Sequence, residues 1–332
     1  MHILQSRLCE NGTPVKTNNP TERAGGAGVE TGPDVTGIDV GVIGVAPPRT
    51  RSHAPRPCAR DTDRLAWTAM EDYAALVRDR TPIRAGCLPL ARAGADTVAA
   101  RIAGLPSHVS AVFVVGTGPS ESASVQLRVA SLKGPLVITE LDVITAALGG
   151  AAIMTLRRRV VAPRRGRIVV TGAEALPRLG PLLRAAGGGT FTSWNESDAQ
   201  AYPLCGLMAH HDILIDLAGI APDNCAPGRT LRLPRERFDY GALVLPGLLS
   251  ALCRHHTARL TIDVLAACAR ALALIAPPDQ ILPALTEPLL VPAVAREVAR
   301  TLAEHPHHCR PDTASTHPVT KPPTSTSGGQ PS

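Results

Sequence analysis

The chain has 332 residues, of which 29 are glycine and 31 are proline, while aromatic residues make up 2% and apolar residues 44%. Lysine and arginine outnumber the acidic residues, which gives a mild formal net charge of +6. The length allows one large domain or two smaller ones with aliphatic cores, and the composition excludes a collagenous chain, a wholly disordered chain and a small disulfide scaffold.

The two ends of the chain differ in composition from the middle. Residues 1–59 are rich in glycine, proline, threonine and asparagine around one apolar stretch, Ile38–Val45, and they predict a low-order segment. Residues 306–332 are mostly proline, serine, threonine and glycine, and they predict a disordered tail. Between these ends we predict two folded domains, over residues 60–150 and 151–305.

The first of these domains shows alternating helix and strand patterns. Apolar spacing and composition predict two helices, two short buried strands and an alanine-rich helix in the order Arg64–Arg78, Ala95–Leu105, Ser110–Val115, Leu136–Thr139 and Asp142–Arg158.

The second domain continues the alternation. Its predicted elements are three strands and three helices: the strand Arg167–Thr171, the helix Ala173–Ala186, the strands Thr190–Ser193 and Ile213–Leu217, and the helices Thr261–Ala276 and Pro292–Glu304. One further apolar segment, Ala242–Leu245, leads into Pro246. Strands alternating with helices predict an α/β fold with a parallel sheet flanked by helices.

The turn after Thr171 is the most informative local pattern. A strand that ends at Gly172 and leads into a helix is typical of a dinucleotide-binding βαβ unit, in which backbone N–H groups approach a pyrophosphate. Glu174 and Pro177 stand where further glycines would be needed, and Glu174 would place a negative charge beside the phosphates. A generic α/β turn and a phosphate cradle therefore both stay open.

An arginine cluster lies in the connection before that strand. Six arginines fall within the eleven residues 157–167: Arg157, Arg158, Arg159, Arg164, Arg165 and Arg167. Such a patch could contact the phosphates of nucleic acid or of a dinucleotide. Aromatic residues that would stack on bases are missing around it. We therefore favour a solvated helix-to-strand connection and do not expect a nucleic-acid partner.

The cysteines and the hydropathy point to a compartment. Eight cysteines are scattered without a CxxC pair, no secretory signal follows Met1, and no run of about 18 apolar residues is present. We expect a cytoplasmic protein with reduced cysteines and no membrane contact. The residues His305, His307, His308 and Cys309 could bind zinc, but without a second ligand pair we do not expect a metal role for them.

Several segments together resemble the bacterial malic enzymes. The best match is C-terminal and comprises Leu245–Leu249, the helix to Ala276, Ile281–Pro283 and Pro288–Ala295. Upstream, the same family spacing is kept by Cys87–Leu88, Pro119, Pro135–Val137 and Arg167–Ala173. The resemblance covers about Met70–His305 and lies in the order and spacing of these segments.

The resemblance implies a fold, an activity and cofactors. The fold would be a truncated malic-enzyme-type α/β domain followed by a reduced Rossmann-like domain with a parallel sheet. The activity would be the NAD(P)-dependent oxidative decarboxylation of malate to pyruvate with Mg²⁺ or Mn²⁺. The cofactor-binding positions would be Gly172, Ala173 and Gly219, and the resemblance also implies a homodimer.

Position by position, most of the family's chemistry is replaced. The family's catalytic lysine falls on Tyr73, and its Glu-Asp metal pair falls on Val114 and Val115. Only Glu140 keeps a carboxylate at a metal-ligand position, so we expect at most weak binding of Mg²⁺ or Mn²⁺, since one carboxylate holds a divalent ion weakly. The family's Asn-Asn pair falls on Tyr240 and Gly241.

The two carboxylates in this region have an alternative role. Glu140 and Asp142 stand at the predicted start of a helix, where acidic side chains cap the first turn and interact well with the helix dipole. We favour this role over metal ligation.

Three hypotheses for function follow. The first is a divergent malic-enzyme-family oxidoreductase that still binds NAD or NADP. The second is a catalytically inactive malic-enzyme-like pseudoenzyme that binds a partner or a small molecule, such as a dicarboxylate or a nucleotide. The third is a nucleic-acid-associated protein that uses the arginine cluster.

Overall fold

The computed structural model describes residues 37–45, 59–90, 94–159, 161–234, 236–255, 257 and 259–304, with the side chains described from residue 66 onward in the first helix. The predicted C-terminal tail, the cluster His305–Cys309 and most of the predicted low-order N-terminal segment lie outside these residues.

Four parallel strands form the first sheet. They are β1 (Val40–Gly44), β2 (Ala85–Cys87), β3 (Ala111–Val115) and β4 (Leu136–Thr139), in the spatial order β2-β1-β3-β4. Val42 pairs with Phe113, which pairs in turn with Ile138, and all three side chains are buried. Strands buried on both faces are continuous apolar runs, as expected for a parallel sheet covered by helices.

The strand β1 corrects the sequence analysis. It falls within the segment 1–59 that was predicted as low-order, yet it is a central strand of the sheet and every one of its residues is buried. Its five residues include two glycines, at positions 41 and 44, which weaken the strand pattern. The apolar stretch Ile38–Val45 was therefore the signal of a strand.

Helices connect the strands of the first sheet. They are α1 (Ala59–Arg80), α2 (Ala95–Ala103), α3 (Pro119–Ser131) and α4 (Glu140–Arg158). The helices predicted over 64–78, 95–105 and 142–158 are confirmed, with shifted ends. The helix α3 was not predicted from the sequence.

The second sheet is also parallel and has four strands. They are β5 (Arg167–Thr171), β6 (Thr190–Trp194), β7 (Ile213–Asp216) and β8 (Thr230–Arg232), in the order β6-β5-β7-β8. The short helices α5 (Leu179–Ala185) and α6 (Leu204–Leu207) lie in its connections. The predicted helix Ala173–Ala186 is wrong over its first half, since Ala173–Ala175 forms a single 3₁₀ turn and the α-helix begins only at Leu179.

Three C-terminal helices complete the described chain. They are α7 (Arg237–Arg254), which contains the apolar segment 242–245, α8 (Ile262–Ile275) and α9 (Leu290–Glu304). The helices α4, α7, α8 and α9 pack on one another and share one core with the first sheet. A Cβ at Gly150 of α4 would lie 3.0 Å from Cβ of Leu272, so this glycine lets α4 and α8 approach closely.

The helix α4 joins the two sheets. It is buried over most of its length and packs against strands of both the first and the second sheet. The predicted α/β fold, with two parallel sheets and flanking helices, is confirmed. The predicted boundary between residues 150 and 151 falls inside α4, and the division into two domains stays a prediction. Among the helices in the described ranges, none has the length and apolarity needed to span a membrane.

Candidate functional site

In each sheet the chain reverses the direction in which it adds strands, which creates a topological switch point at the carboxyl edge of the sheet. From β1 the chain crosses to β2 on one side and then to β3 on the other, and from β5 it crosses to β6 and then to β7 in the same way. Ligands of open parallel sheets bind at such switch points, outside the carboxyl ends of the strands. The β1/β3 and β5/β7 edges are therefore where a site is expected.

The β1/β3 edge is closed by backbone packing. Gly116 follows β3 with φ of +87°, and a Cβ there would collide with the carbonyl oxygen of Val45. Val114 and Val115, onto which the resemblance to malic enzymes places two metal carboxylates, are 0% and 2% exposed. They are core side chains, and they leave this edge without an acidic group from β3.

Tyr73 of α1 lies near the start of α4. Its side chain is 0% exposed, and its ring contacts Phe113 and Phe238 with ring centroids 4.8 and 4.9 Å apart. Its hydroxyl donates a hydrogen bond of 3.4 Å to Oε1 of Glu140. A Cβ on Gly241 would lie 2.8 Å from Cζ of Tyr73, so the missing side chain of Gly241 provides the space that the tyrosine ring occupies.

Glu140 is the first residue of α4 and is 7% exposed. Burial raises the pKa of its carboxyl above the usual range, while the Arg237 guanidinium and the hydrogen bond from Tyr73 offset part of this rise. Nη1 of Arg237 lies 3.9 Å from Oε2 of Glu140. Burial also raises the pKa of Tyr73, and the neighbouring Glu140 raises it further. A tyrosine with a raised pKa keeps its proton and serves as a hydrogen-bond donor rather than as a base.

Asp142 has a structural role. Its Oδ2 accepts hydrogen bonds of 2.8 Å from both the backbone N–H and the hydroxyl of Thr139, which completes a capping box at the start of α4. Gln126 donates to the same oxygen at 2.7 Å, and Nη1 of Arg178 lies 2.6 Å from Oδ1. The predicted capping role of Asp142 is confirmed, and its oxygens are already engaged by protein donors.

The described residues do not suit a divalent metal ion. Mg²⁺ and Mn²⁺ need several oxygen ligands, usually including more than one carboxylate. No group of three or more histidine, cysteine, aspartate or glutamate side chains converges in the part of the chain that the structure describes. The carboxylate of Glu140 faces Tyr73 and Arg237, and ligation of a metal by Glu140 stays a prediction.

The predicted cofactor-binding residues come together at the β5/β7 edge. Gly172 follows β5 with φ of +62°, and Gly219 follows β7 with φ of +70°, both in the left-handed region that glycine tolerates. A Cβ on Gly172 would lie 2.9 Å from the backbone nitrogen of Ala218. Gly172, Ala173 and Gly219 therefore lie on two loops that contact each other.

This edge is a poor cradle for a pyrophosphate. The backbone N–H groups of Ala175 and Leu176 donate to the carbonyls of Gly172 and Ala173 at 3.0 and 3.2 Å, so they are already used. No α-helix starts at the turn, because α5 begins seven residues after Gly172. Glu174 is exposed in the same turn. Binding of NAD or NADP through Gly172, Ala173 and Gly219 stays a prediction.

A buried acidic network at the same edge was missed by the sequence analysis. Asp216, at the end of β7, accepts hydrogen bonds from the Thr171 hydroxyl at 2.7 Å and from the amides of Ile220 and Ala221 at 3.2 and 3.1 Å. Nε of Arg232 lies 3.3 Å from Oδ2. Burial alone would raise the pKa of Asp216, but these hydrogen bonds together hold it below its usual range. The carboxylate thus satisfies two loop amides that could otherwise meet an anion.

The arginine cluster contributes to packing as well as to charge. Nη1 of Arg157 donates to the carbonyl of Ala273 at 2.7 Å, which ties the end of α4 to α8. Nη1 of Arg167 donates to the carbonyl of His210 at 3.1 Å. All six arginines of the cluster are exposed. The predicted solvated connection agrees with this arrangement, and nucleic-acid binding stays untested.

A small cavity lies where the loops of both sheets approach α4. It has a volume of about 160 Å³ and is lined mostly by apolar groups, which include Pro119, Leu141, Ile144, Leu176 and Leu233. Small-molecule sites in proteins usually measure roughly 300–1,000 Å³. The cavity is therefore too small for a dinucleotide, and its polar lining is limited to Thr117 and to Arg237, which lies beside Glu140.

The architecture is shared with solved structures. A crystal structure of malic enzyme from Entamoeba histolytica superposes with a TM-score of 0.65 at 14% sequence identity, over 83% of this chain and 71% of that chain. This is a malic-enzyme-like fold.

Two further similar structures agree with this result. The malic enzyme from Pyrococcus horikoshii OT3 gives a TM-score of 0.63 at 12% identity, over 82% of this chain and 77% of that chain. The NAD-dependent malic enzyme from Thermotoga maritima gives 0.60 at 13% identity, over 78% of this chain and 83% of that chain. No protein-family model and no curated protein sequence matches the chain.

Proposed function

We propose that this chain is a malic-enzyme-like protein that does not decarboxylate malate and acts as a non-catalytic binding protein. The observation that carries the proposal is the packing of Tyr73. Its ring is fully buried against Phe113, Phe238 and Gly241, and its hydroxyl donates to Glu140. By the resemblance, a catalytic lysine would be needed at this position.

The surroundings of Tyr73 support the proposal. Oxidative decarboxylation of malate needs a base for the hydroxyl proton and an electrophile for the carbonyl that forms. Tyr73 keeps its proton, Asp142 is engaged by Thr139, Gln126 and Arg178, and valines stand at the metal-carboxylate positions. Without these groups the transition state lacks several kcal/mol of stabilisation.

A turnover assay tests the proposal. The full chain is incubated with malate, Mn²⁺ and either NAD⁺ or NADP⁺, and formation of the reduced cofactor is followed. We expect no rate above the protein-free blank. Malate-dependent reduction by the wild-type chain that disappears in Glu140→Gln would overturn the proposal, because that control separates the chain's own activity from a contaminating enzyme.

The second candidate is an oxidoreductase that still binds NAD(P). It is favoured by one observation, the left-handed glycines Gly172 and Gly219 on adjacent loops at the β5/β7 switch point. Calorimetric titration with NAD⁺ and NADP⁺ tests it. Saturable heat that is lost in Gly219→Val would favour this candidate. The variant is suitable because a Cβ at Gly219 meets no neighbouring atom within 4 Å, so the substitution mainly strains the left-handed backbone of the loop.

A further inference from the structure

A groove that none of the site residues touches lies at the opposite edge of the first sheet. Its volume is about 480 Å³, and it lies between the C-terminal ends of α1 and α7 and residues 291–299 of α9. Because α1 ends at Arg80 and β2 begins at Ala85, this end of α1 lies at the amino edge of the sheet. We call it the arginine groove, after Arg80, Arg254 and Arg296.

The charge of the arginine groove is one-sided. Arg80, Arg254 and Arg296 line it together with His255, and no carboxylate belongs to its described lining. None of the three guanidinium groups forms an ion pair or a side-chain hydrogen bond with another residue in the described ranges. By contrast, many other arginines of the described chain are paired with a carboxylate: Arg84, Arg128, Arg178, Arg232, Arg237, Arg270 and Arg300.

Helix-end electrostatics accounts for only part of this arrangement. Arg80 and Arg254 are the last residues of their helices, where a cation gains about 0.3–1 kcal/mol from the helix dipole. Arg296 lies in the interior of α9, where this gain is absent. The dipole also does not require three guanidinium groups to line one groove. The helix dipole therefore does not explain why three guanidinium groups line the same groove.

The rest of the lining adds an apolar surface. Ala251, Val291, Pro292, Ala295 and Ala299 supply it, and no phenylalanine, tyrosine or tryptophan lines the described groove. The two hydroxyls of the lining already donate to backbone carbonyls, since Thr81 donates to Val77 at 2.7 Å and Ser250 donates to Pro246 at 2.8 Å. Recognition in the groove therefore comes from the guanidinium groups and from apolar contact.

We propose that the arginine groove binds a small organic polyanion, in which at least two phosphate or carboxylate groups are joined to a carbon framework that contacts the apolar lining. Guanidinium groups bind both kinds of anion through charge-assisted hydrogen bonds. The volume lies within the roughly 300–1,000 Å³ of small-molecule sites. The proposal is independent of the proposed function, since its site shares no residue with the carboxyl edges of the sheets.

Titration calorimetry of the full chain at low salt tests the proposal. The probes are citrate, ATP and tripolyphosphate, so that carboxylate and phosphate sources are distinguished and the anion is tested with and without an organic body. We expect saturable binding of citrate or ATP, tighter than that of tripolyphosphate. The double variant Arg254→Ala/Arg296→Ala should weaken it by about tenfold or more.

The matched control is Arg158→Ala/Arg159→Ala, which removes two exposed arginines of the other cluster and should leave the affinity unchanged. The thermal midpoint of each variant shows whether it folds. Equal weakening by both double variants would overturn the proposal, because binding would then follow total charge. Absence of saturable heat with all three probes would also overturn the proposal. If tripolyphosphate bound as tightly as ATP, the apolar surface would have no role in recognition.

Discussion

The contact between Tyr73 and Gly241 provides a quantitative test of the proposal that Tyr73, at the position where the resemblance implies a catalytic lysine, is a core side chain. In Gly241→Ala, the new Cβ would lie 2.8 Å from Cζ and 2.9 Å from Cε1 of Tyr73, both atoms of a rigid ring that is 0% exposed. The ring cannot move without displacing Phe113 or Phe238. The substitution should therefore destabilise the protein, although alanine is the better helix former.

The magnitude follows from two opposing contributions. Overpacking a core costs about 1–3 kcal/mol, while glycine to alanine inside a helix gains about 1 kcal/mol. We expect Gly241→Ala to lower the free energy of unfolding by about 0–2 kcal/mol in the wild-type chain. In a Tyr73→Leu background the clash is removed, and the same substitution should raise the free energy of unfolding by about 1 kcal/mol.

Urea unfolding of the four proteins in this cycle measures the coupling between the two residues. The expected coupling is about 1–3 kcal/mol. Gly206→Ala serves as a matched control, since Gly206 lies in α6 and a Cβ there meets nothing within 4 Å. Its effect should be the same with Tyr73 or Leu at position 73. Additive effects of Gly241→Ala and Tyr73→Leu, within about 0.5 kcal/mol, would refute the packing described for this position.

Three further substitutions test the carboxylates. Burial raises the pKa of Glu140 in the folded protein, so the wild-type protein loses stability when the pH rises and this carboxyl ionises. The thermal midpoint of Glu140→Gln should therefore equal that of the wild type at about pH 4, near an ordinary carboxyl pKa, and exceed it at about pH 7. A midpoint advantage that shrinks with rising pH would contradict this. For Asp216 the pKa is lowered, so its stabilisation is present above the unfolded pKa and is lost on acidification. Asp216→Asn should cost about 2–3 kcal/mol at neutral pH in urea unfolding and less in acid, because the amide cannot accept all of the bonds from Thr171, Ile220 and Ala221; a pH-independent loss would argue against the assignment. Asp142→Ala should lower the free energy of unfolding by about 2–4 kcal/mol, because it removes the cap of α4 and the carboxylate acceptor of Gln126 and Arg178, which keep only their backbone acceptors Val137 and Leu260. A loss under about 0.5 kcal/mol would show that the capping box is dispensable.

Apolar runs and caps made much of the fold predictable from the sequence. The strands β3, β4, β5 and β7 are short, buried and bounded by turn residues, and each was predicted close to its observed limits. The capping role of Asp142 followed from its place in the first turn of an alanine-rich helix. Local signals of this kind depend on residues that are neighbours in the chain, and single-sequence patterns record them well.

The failures have physical causes. In β1, the glycines at 41 and 44 lower the strand propensity, and the surrounding proline and glycine make the segment resemble a loop. In α5, Pro177 and the left-handed Gly172 delay the helix, although the apolar spacing of Ala173–Ala186 suits a helix throughout. In β1 the pairing within the sheet outweighs the local sequence, whereas in α5 two local residues outweigh the apolar spacing.

The site was less predictable than the fold. The positions of Tyr73 and Glu140 were identified by resemblance, but the contact of Tyr73 with Gly241 joins residues far apart in the sequence. The same holds for Asp216, whose partners Thr171 and Arg232 lie on neighbouring strands. A carboxylate directly after a buried strand is a signal that could have directed attention to Asp216, because strand ends meet at the ligand edge of a parallel sheet.

Pyruvate formation measures the central claim most directly. The full chain, in molar excess over malate, is incubated with Mn²⁺ and both oxidised cofactors, and pyruvate is quantified by chromatography. With Tyr73 packed as core and its partner Glu140 buried, we predict no pyruvate above the protein-free blank. Pyruvate that rises in proportion to the wild-type protein and is absent with Glu140→Gln would contradict the account.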